Sequence, residues 1–182
     1  MLPLNPAIAA TFRPPIMEAR GWMEGVTFPP DRPLINVSQA APVDPPPEIM
    51  RRAMAQAVLD QPDAHFYGPV LGRDELRAAV ARDWSAAYGG RIRPDEVAIT
   101  QGCNQAFSAT IQTLAGPGDE VILPMPWYFN HKMWLDMQGI RAVGLRCGPG
   151  MVPDPLEAAR LITPRTRAIV LVSPNNPSGA EY

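Results

Sequence analysis

Three short segments hold the residues best suited to grip a small charged ligand. Thr100-Gln101-Gly102-Cys103-Asn104 puts a glycine where a predicted strand gives way to a predicted helix. Glycine lets backbone approach a ligand closely, and the first amides of a helix point outward without internal partners, which suits a phosphate. The same five residues also make an ordinary turn. Pro126-Trp127-Tyr128-Phe129-Asn130-His131 gathers three aromatic rings behind an apolar run. Such rings either offer a flat stacking face to an aromatic ligand or pack the top of a sheet. Ser173-Pro174-Asn175-Asn176-Pro177-Ser178-Gly179 follows another apolar run, with prolines on both sides of two asparagines. Prolines limit that backbone, so a carboxamide can be held toward a ligand; a plain Asn-Pro reversal needs fewer turn-forming residues. A fourth turn, Tyr67-Gly68-Pro69 with Gly72 and Leu76-Arg77 after it, carries a tyrosine that either donates to an anion or packs.

Other chemistries lack their residues. His65 and His131 have no acidic or cysteine partners at metal-ligand spacing, so no metal site is expected. Ser85 and Ser108 fall inside predicted helices, without the sharp strand-to-helix turn of a nucleophile elbow. Neither G-x-G-x-x-G nor G-x-x-x-x-G-K is present, which argues against a nucleotide-binding α/β domain. Sixteen Lys+Arg against eighteen Asp+Glu give a net charge of −2, so the electrostatic footprint of a nucleic-acid binder is missing. No apolar run reaches the roughly 20 residues that span a bilayer, and the opening MLPLNPAIAATF does not read as a secretory signal. Two cysteines, Cys103 and Cys147, make no disulfide framework; a reducing, cytoplasmic setting is the expectation.

The elements that must position these segments follow from periodicity. Residues 1–45 are proline-rich, with pairs at Pro14-Pro15 and Pro29-Pro30, and read as an extended N-terminal arm; Leu34-Ile35-Asn36-Val37 is one candidate strand within it. From residue 46 to 182 helices and strands alternate. Helices are predicted over 48–59, 73–88, 105–115, 129–138 and 154–162, and strands over 97–100, 121–123, 140–145 and 167–172. Asp154-Pro155-Leu156-Glu157 supplies a cap acid, a proline at the first helical position and a glutamate three residues after the cap. Arg167 to Val172 is nearly all apolar, as a strand buried on both faces would be. This alternation predicts an α/β fold with a mostly parallel sheet and helices on both faces. Ligands of such sheets bind outside the carboxyl ends of the strands, where three of the four segments fall.

Four patterns occur in one order: Y-G-x-x-x-G-x-x-x-L-R from Tyr67, T-x-G-x-x-Q-A from Thr100, P-x-P-W-Y from Pro124 and N-N-P-S-G from Asn175. Together they resemble the class I/II aminotransferases, fold type I enzymes that use pyridoxal 5′-phosphate, over a stretch from about Leu34 to Tyr182. The resemblance implies that Gly102, Cys103 and Asn104 hold the cofactor phosphate through backbone amides and that Tyr128 stacks on the pyridine ring. It implies that Asn176 hydrogen-bonds the ring's phenolic oxygen and that Tyr67 reaches the phosphate of a neighbouring subunit in a homodimer. Ala40 falls where relatives carry a glycine beside the substrate carboxylate, which marks Ala40 and Asn176 as substrate-side positions. The activity implied is transfer of an amino group between an L-amino acid and a 2-oxo acid, within amino-acid metabolism. A lyase or decarboxylase of the same fold would keep all these residues, and a non-catalytic aminotransferase-like binding domain is a further alternative.

The family's Schiff-base lysine is expected beyond Tyr182, as is the rest of the small domain to which the arm over 1–45 would contribute. The segment 46–182 is then the first part of a cofactor-binding large domain. No catalytic residue is assigned within the chain. The one lysine, Lys132, lies four residues after Tyr128 on a predicted helix and reads as a solvated surface residue. The 182 residues by themselves are therefore expected not to transaminate.

Overall fold

The structure is a computed structural model and describes residues 2–39 and 41–182. Among them lie helices α1 (Pro6–Ala10), α2 (Pro15–Gly21), α3 (Glu48–Asp60), α4 (Asp74–Tyr88), α5 (Cys103–Leu114), α6 (Phe129–Met137) and α7 (Pro155–Leu161), and strands β1 (Glu120–Met125), β2 (Arg141–Arg146) and β3 (Thr166–Ile169). The chain divides into two compact units, one formed by the stretch up to Ile35 with Cys103–Tyr182, the other by Asn36–Gly102.

The first unit holds the sheet. Its strands run parallel in the order β2-β1-β3, with Ile122 of β1 opposite Val143 on one side and Ile169 on the other. Successive residues of a strand point to opposite faces, so an apolar central strand needs cover on both. Val121 and Leu123 pack with Ile111 of α5, Leu135 of α6 and Ile140 on one face. Ile122 packs with Leu145 of β2 and with Ala158 and Leu161 of α7 on the other. Each fully buried Val, Leu or Ile among them contributes about 1.5–3 kcal/mol. The parallel α/β arrangement with helices on both faces is thus the one the alternation predicts. The connections also end where expected: Gly139 takes φ +68° after α6, with Ile140 N–H donating to Leu135 O, and Asp154 caps α7 by accepting from Leu156 N–H at 2.8 Å.

At the amino-terminal edge of the sheet a single buried carboxylate joins all three strands. Glu120 is 1% exposed; it accepts from Thr163 Oγ1 at 2.7 Å, from Arg165 Nη2 at 2.8 Å and from Arg141 Nη1 at 3.1 Å. Arg141 opens β2, and Thr163 and Arg165 precede β3. Both guanidinium groups stay mostly in solvent, so only the carboxylate is desolvated.

The second unit carries α3 and α4, with α4 ending on Gly89 at φ +62°, a left-handed cap that the Gly-Gly pair anticipated. Arg77 of α4 donates to Val97 O at 2.8 Å, and Ile99 N–H donates to Leu71 O at 2.9 Å.

Several expectations are corrected. Residues 97–100 form no strand: the segment joins no ladder and has only that one main-chain bond to Leu71. Residues 34–37 likewise stand outside any sheet, with Leu34, Ile35 and Val37 exposed. The arm, expected to be extended with few regular elements, holds two short helices, each begun by one of its prolines. Pro6 follows the cap Asn5, which accepts from Ala7 N–H at 3.0 Å, and Pro15 opens α2; a missing N–H costs nothing at a first helical position. The last strand stops at Ile169 instead of Val172. It lies at a sheet edge, its pairing with β1 reaches only Ile122 and Val170, and Pro124 beyond offers no amide to a ladder. Its two faces differ too. Ala168 and Val170 face the core, whereas Ile169 and Leu171 are exposed, and α7 packs against β2.

Leu135→Ala removes a fully buried side chain from the α6 side of the core and is expected to cost about 3 kcal/mol in urea denaturation of the intact protein. The Thr163 hydroxyl foremost, then Arg165 and Arg141, hold the Glu120 carboxyl below the usual carboxylate range against the opposing effect of burial. That contribution is complete above the ordinary carboxylate pKa and is lost as pH falls through the depressed folded value. Glu120→Gln is therefore expected to lower the urea midpoint at neutral pH, with the gap to the parent closing as the solution is acidified.

Candidate functional site

The loops leaving the carboxyl ends of β1 and β3, and the start of α5, make the site. Gly102 has φ +89°, a left-handed conformation that a side chain would strain; a Cβ there would meet no atom within 4 Å, so conformation and not space calls for glycine. Its N–H donates to Thr100 O at 2.9 Å and its carbonyl accepts from Thr100 Oγ1 at 3.0 Å, closing a tight turn. The turn delivers the chain into α5, whose first residues Cys103 and Asn104 are exposed and whose leading amides have no partners inside the helix.

Tyr128 caps the start of α6 after the β1 loop and is partly buried. Its hydroxyl accepts from Asn130 Nδ2 at 2.6 Å. The ring of His131 meets it edge-on, with centroids 5.1 Å apart, and itself stacks on Phe107 at 3.9 Å. Phe107 lies about one turn into α5, so a row of three rings links that helix's first turns to Tyr128. Burial lowers the pKa of His131 and favours the neutral ring.

The turn after β3 is tied to the same place. Asn175, 8% exposed, donates from Nδ2 to Pro126 O at 3.3 Å and to Ser178 Oγ at 2.8 Å. Its backbone N–H donates to Ala180 O, and its carbonyl accepts from Gly179 N–H, both at 2.7 Å. The adjacent Asn176 is exposed, and its amide has no partner among the described residues. The peptide bonds before Pro126, Pro174 and Pro177 are cis.

A parallel sheet with these loops at its carboxyl edge invites comparison with known proteins. The family described as Aminotransferase class I and II matches residues 32–182. The chain belongs to that family. It is 39% identical over 137 residues to the aspartate/prephenate aminotransferase of Thermus thermophilus, covering 74% of this chain and 34% of that protein. Kynurenine–oxoglutarate transaminase 1 of Homo sapiens is 30% identical over 174 residues, covering 88% of this chain and 41% of the relative. Among solved structures, a mutant Thermus thermophilus aspartate aminotransferase superposes with a TM-score of 0.85 at 30% identity, over all of this chain and 47% of that one. An alanine aminotransferase from Pyrococcus furiosus gives 0.78 at 30% identity, over 92% of this chain and 42% of that one. The fold is that of the fold type I aminotransferases, and the chain spans between a third and half the length of these relatives.

Within this class I/II aminotransferase chain the expected residues fall as follows. Cys103, Asn104, Tyr128 and Asn176 lie in the unit that holds the sheet, and contacts through Phe107, His131, Pro126 and Asn175 link their elements. Gly102 is the last residue of the other unit, joined to α5 by the chain itself. Tyr67 belongs to that other unit and is fully exposed. Ala40 lies outside the described residues. Lys132 is not a solvated residue: its side chain is 23% exposed, Nζ donates to both carboxylate oxygens of Asp136 at 2.5 Å, and it lies 6.0 Å from the Phe12 ring centroid. The cause is an acid one turn along the helix and the packing of α1 against α6. Sequence reasoning passed over Phe107, Asn130 and Asn175 as supports. Their signal was spacing alone: Phe107 sits at the face of α5 that meets α6, and Asn175 is the inner member of an Asn pair.

The unfolded chain takes up the His131 proton at a higher pH than the folded one, so stability falls as pH drops below the ordinary histidine range, about 6.5. His131→Phe keeps the ring row and is expected to flatten that dependence in urea melts between pH 5 and 7.5. An NMR titration should show His131 protonating below a free histidine.

Proposed function

We propose that the intact protein is a pyridoxal-phosphate-dependent aminotransferase that moves an amino group between an L-amino acid and a 2-oxo acid. The family match carries this reading, and the groups at the strand ends fit the cofactor. The leading amides of α5 after the Gly102 turn suit a phosphate, the half-buried Tyr128 ring suits a flat aromatic ring, and the unpartnered Asn176 amide suits a phenolic oxygen. When bound, pyridoxal phosphate supplies an electron sink for negative charge developing on the amino acid.

The chain's own residues would bind and orient. Gly102, Cys103 and Asn104 would hold the phosphate through backbone N–H groups. Tyr128 would support one face of the ring, kept in place by His131 and by the Asn130 bond to its hydroxyl. Asn176 would donate to the ring oxygen and approach the substrate, with Ala40 near the substrate carboxylate. Tyr67, unengaged at its hydroxyl, would serve the phosphate of a second subunit. A site shared in this way would make the intact protein a homodimer. Residues 1–45 would contribute to a small domain and 46–182 to the cofactor domain. No helix among the described residues is long and apolar enough to cross a membrane, and a cytoplasmic place in amino-acid metabolism accords with the reading.

The test mixes the intact protein with pyridoxal phosphate, an amino acid and a 2-oxo acid. Expected are a new cofactor absorbance band and formation of the exchanged amino and oxo acids. Consumption of the amino acid without any acceptor would replace the reading by a lyase or decarboxylase. Asn176→Ala and Tyr128→Ala should each weaken cofactor binding by about three- to tenfold, whereas Lys132→Ala should leave it unchanged.

A further inference from the structure

Two neighbouring asparagines at the end of β3 have opposite surroundings. Asn176 is exposed and unpartnered, while the Asn175 side chain is buried with both of its amide hydrogens used. One of those hydrogens goes to the Pro126 carbonyl, two residues before Tyr128 in the loop after β1. The other goes to Ser178 Oγ inside the turn, which also accepts from Ala180 N–H at 3.3 Å. Main-chain bonds to Ala180 and from Gly179 pin the same residue. One carboxamide therefore links the two loops that carry Tyr128 and Asn176.

We propose that Asn175 is a positioning residue for the ligand pocket: it touches no ligand, but sets where Asn176 is held relative to the Tyr128 loop. The proposal rests on the pyridoxal-phosphate reading above. An ionised aspartate has the same shape but cannot donate: the Ser178 hydroxyl can turn and donate to it, but the Pro126 carbonyl, an acceptor only, would face a carboxylate oxygen. The loops would separate or retilt, and Asn176, next along the chain, would move with its turn. A residue that only filled the core would lower stability without altering what the ligand feels.

The experiment compares the intact parent protein with Asn175→Asp, Asn176→Ala and the double variant, titrating each with pyridoxal phosphate and recording both affinity and the bound absorbance maximum. Asn175→Asp is expected to weaken binding about tenfold and to displace the absorbance maximum in the same direction as Asn176→Ala. The double variant should lose less than the product of the two single losses, since the residues act as one unit. Parental affinity in Asn175→Asp, an unmoved band, or losses that simply multiply would overturn the proposal. Should Asn175→Asp fail to fold, Ser178→Ala decides, because it removes one acceptor at an exposed site. About threefold weaker binding with the same displacement supports the proposal, and parental values overturn it. If the parent itself binds no pyridoxal phosphate, the functional reading fails and this inference with it. If the parent binds and Asn175→Asp matches it, only the inference fails.

Discussion

Glu120 holds the floor of the sheet, and the rest of this unit depends on that arrangement. A central parallel strand needs its neighbours in register from the first residue, and one carboxylate reaches the opening of β2 and the approach to β3 at once. Its partners keep their charged heads in water, so the bonding is gained with one desolvated charge instead of three. With the floor fixed, the apolar faces of β1 close against α5 and α6 on one side and α7 on the other. The opposite edge is left to irregular loops.

That opposite edge is built on a different principle. No ion pair joins its loops among the described residues; neutral contacts do so, through the row Phe107, His131, Tyr128 and the Asn175 carboxamide. Neutral supports place no charge of their own beside the exposed α5 amides and the Asn176 side chain. Burial of His131 works in the same direction, because it favours the uncharged ring beside Tyr128.

Much of this was legible in the residues. The alternation of periodic segments named the parallel α/β class, Gly139 and Asp154 marked helix ends to within a residue, and the ordered patterns from Tyr67 to Gly179 named the family. What escaped depended on partners remote in sequence. Val97-Ala98-Ile99-Thr100 has strand composition, yet composition cannot supply a neighbouring strand. Arg167 to Val172 looks buried throughout, but whether Ile169 and Leu171 are covered depends on elements outside those six residues. Prolines in the arm read as breakers because position within a helix decides their effect, and the first position tolerates them. Lys132 looked solvated because its contact with the arm joins residues 120 apart.

That long-range contact bears on the order of assembly. The unit containing the sheet is discontinuous, built from the stretch up to Ile35 and from Cys103–Tyr182. During synthesis α1 leaves the ribosome long before α6, its packing partner, has been made. Nascent-chain growth proceeds at about 5–20 residues per second, so the arm spends seconds without its seat while Asn36–Gly102 emerges. A five-residue helix is too short to persist alone, so α1 is a product of docking and takes shape only once α6 is there to receive it.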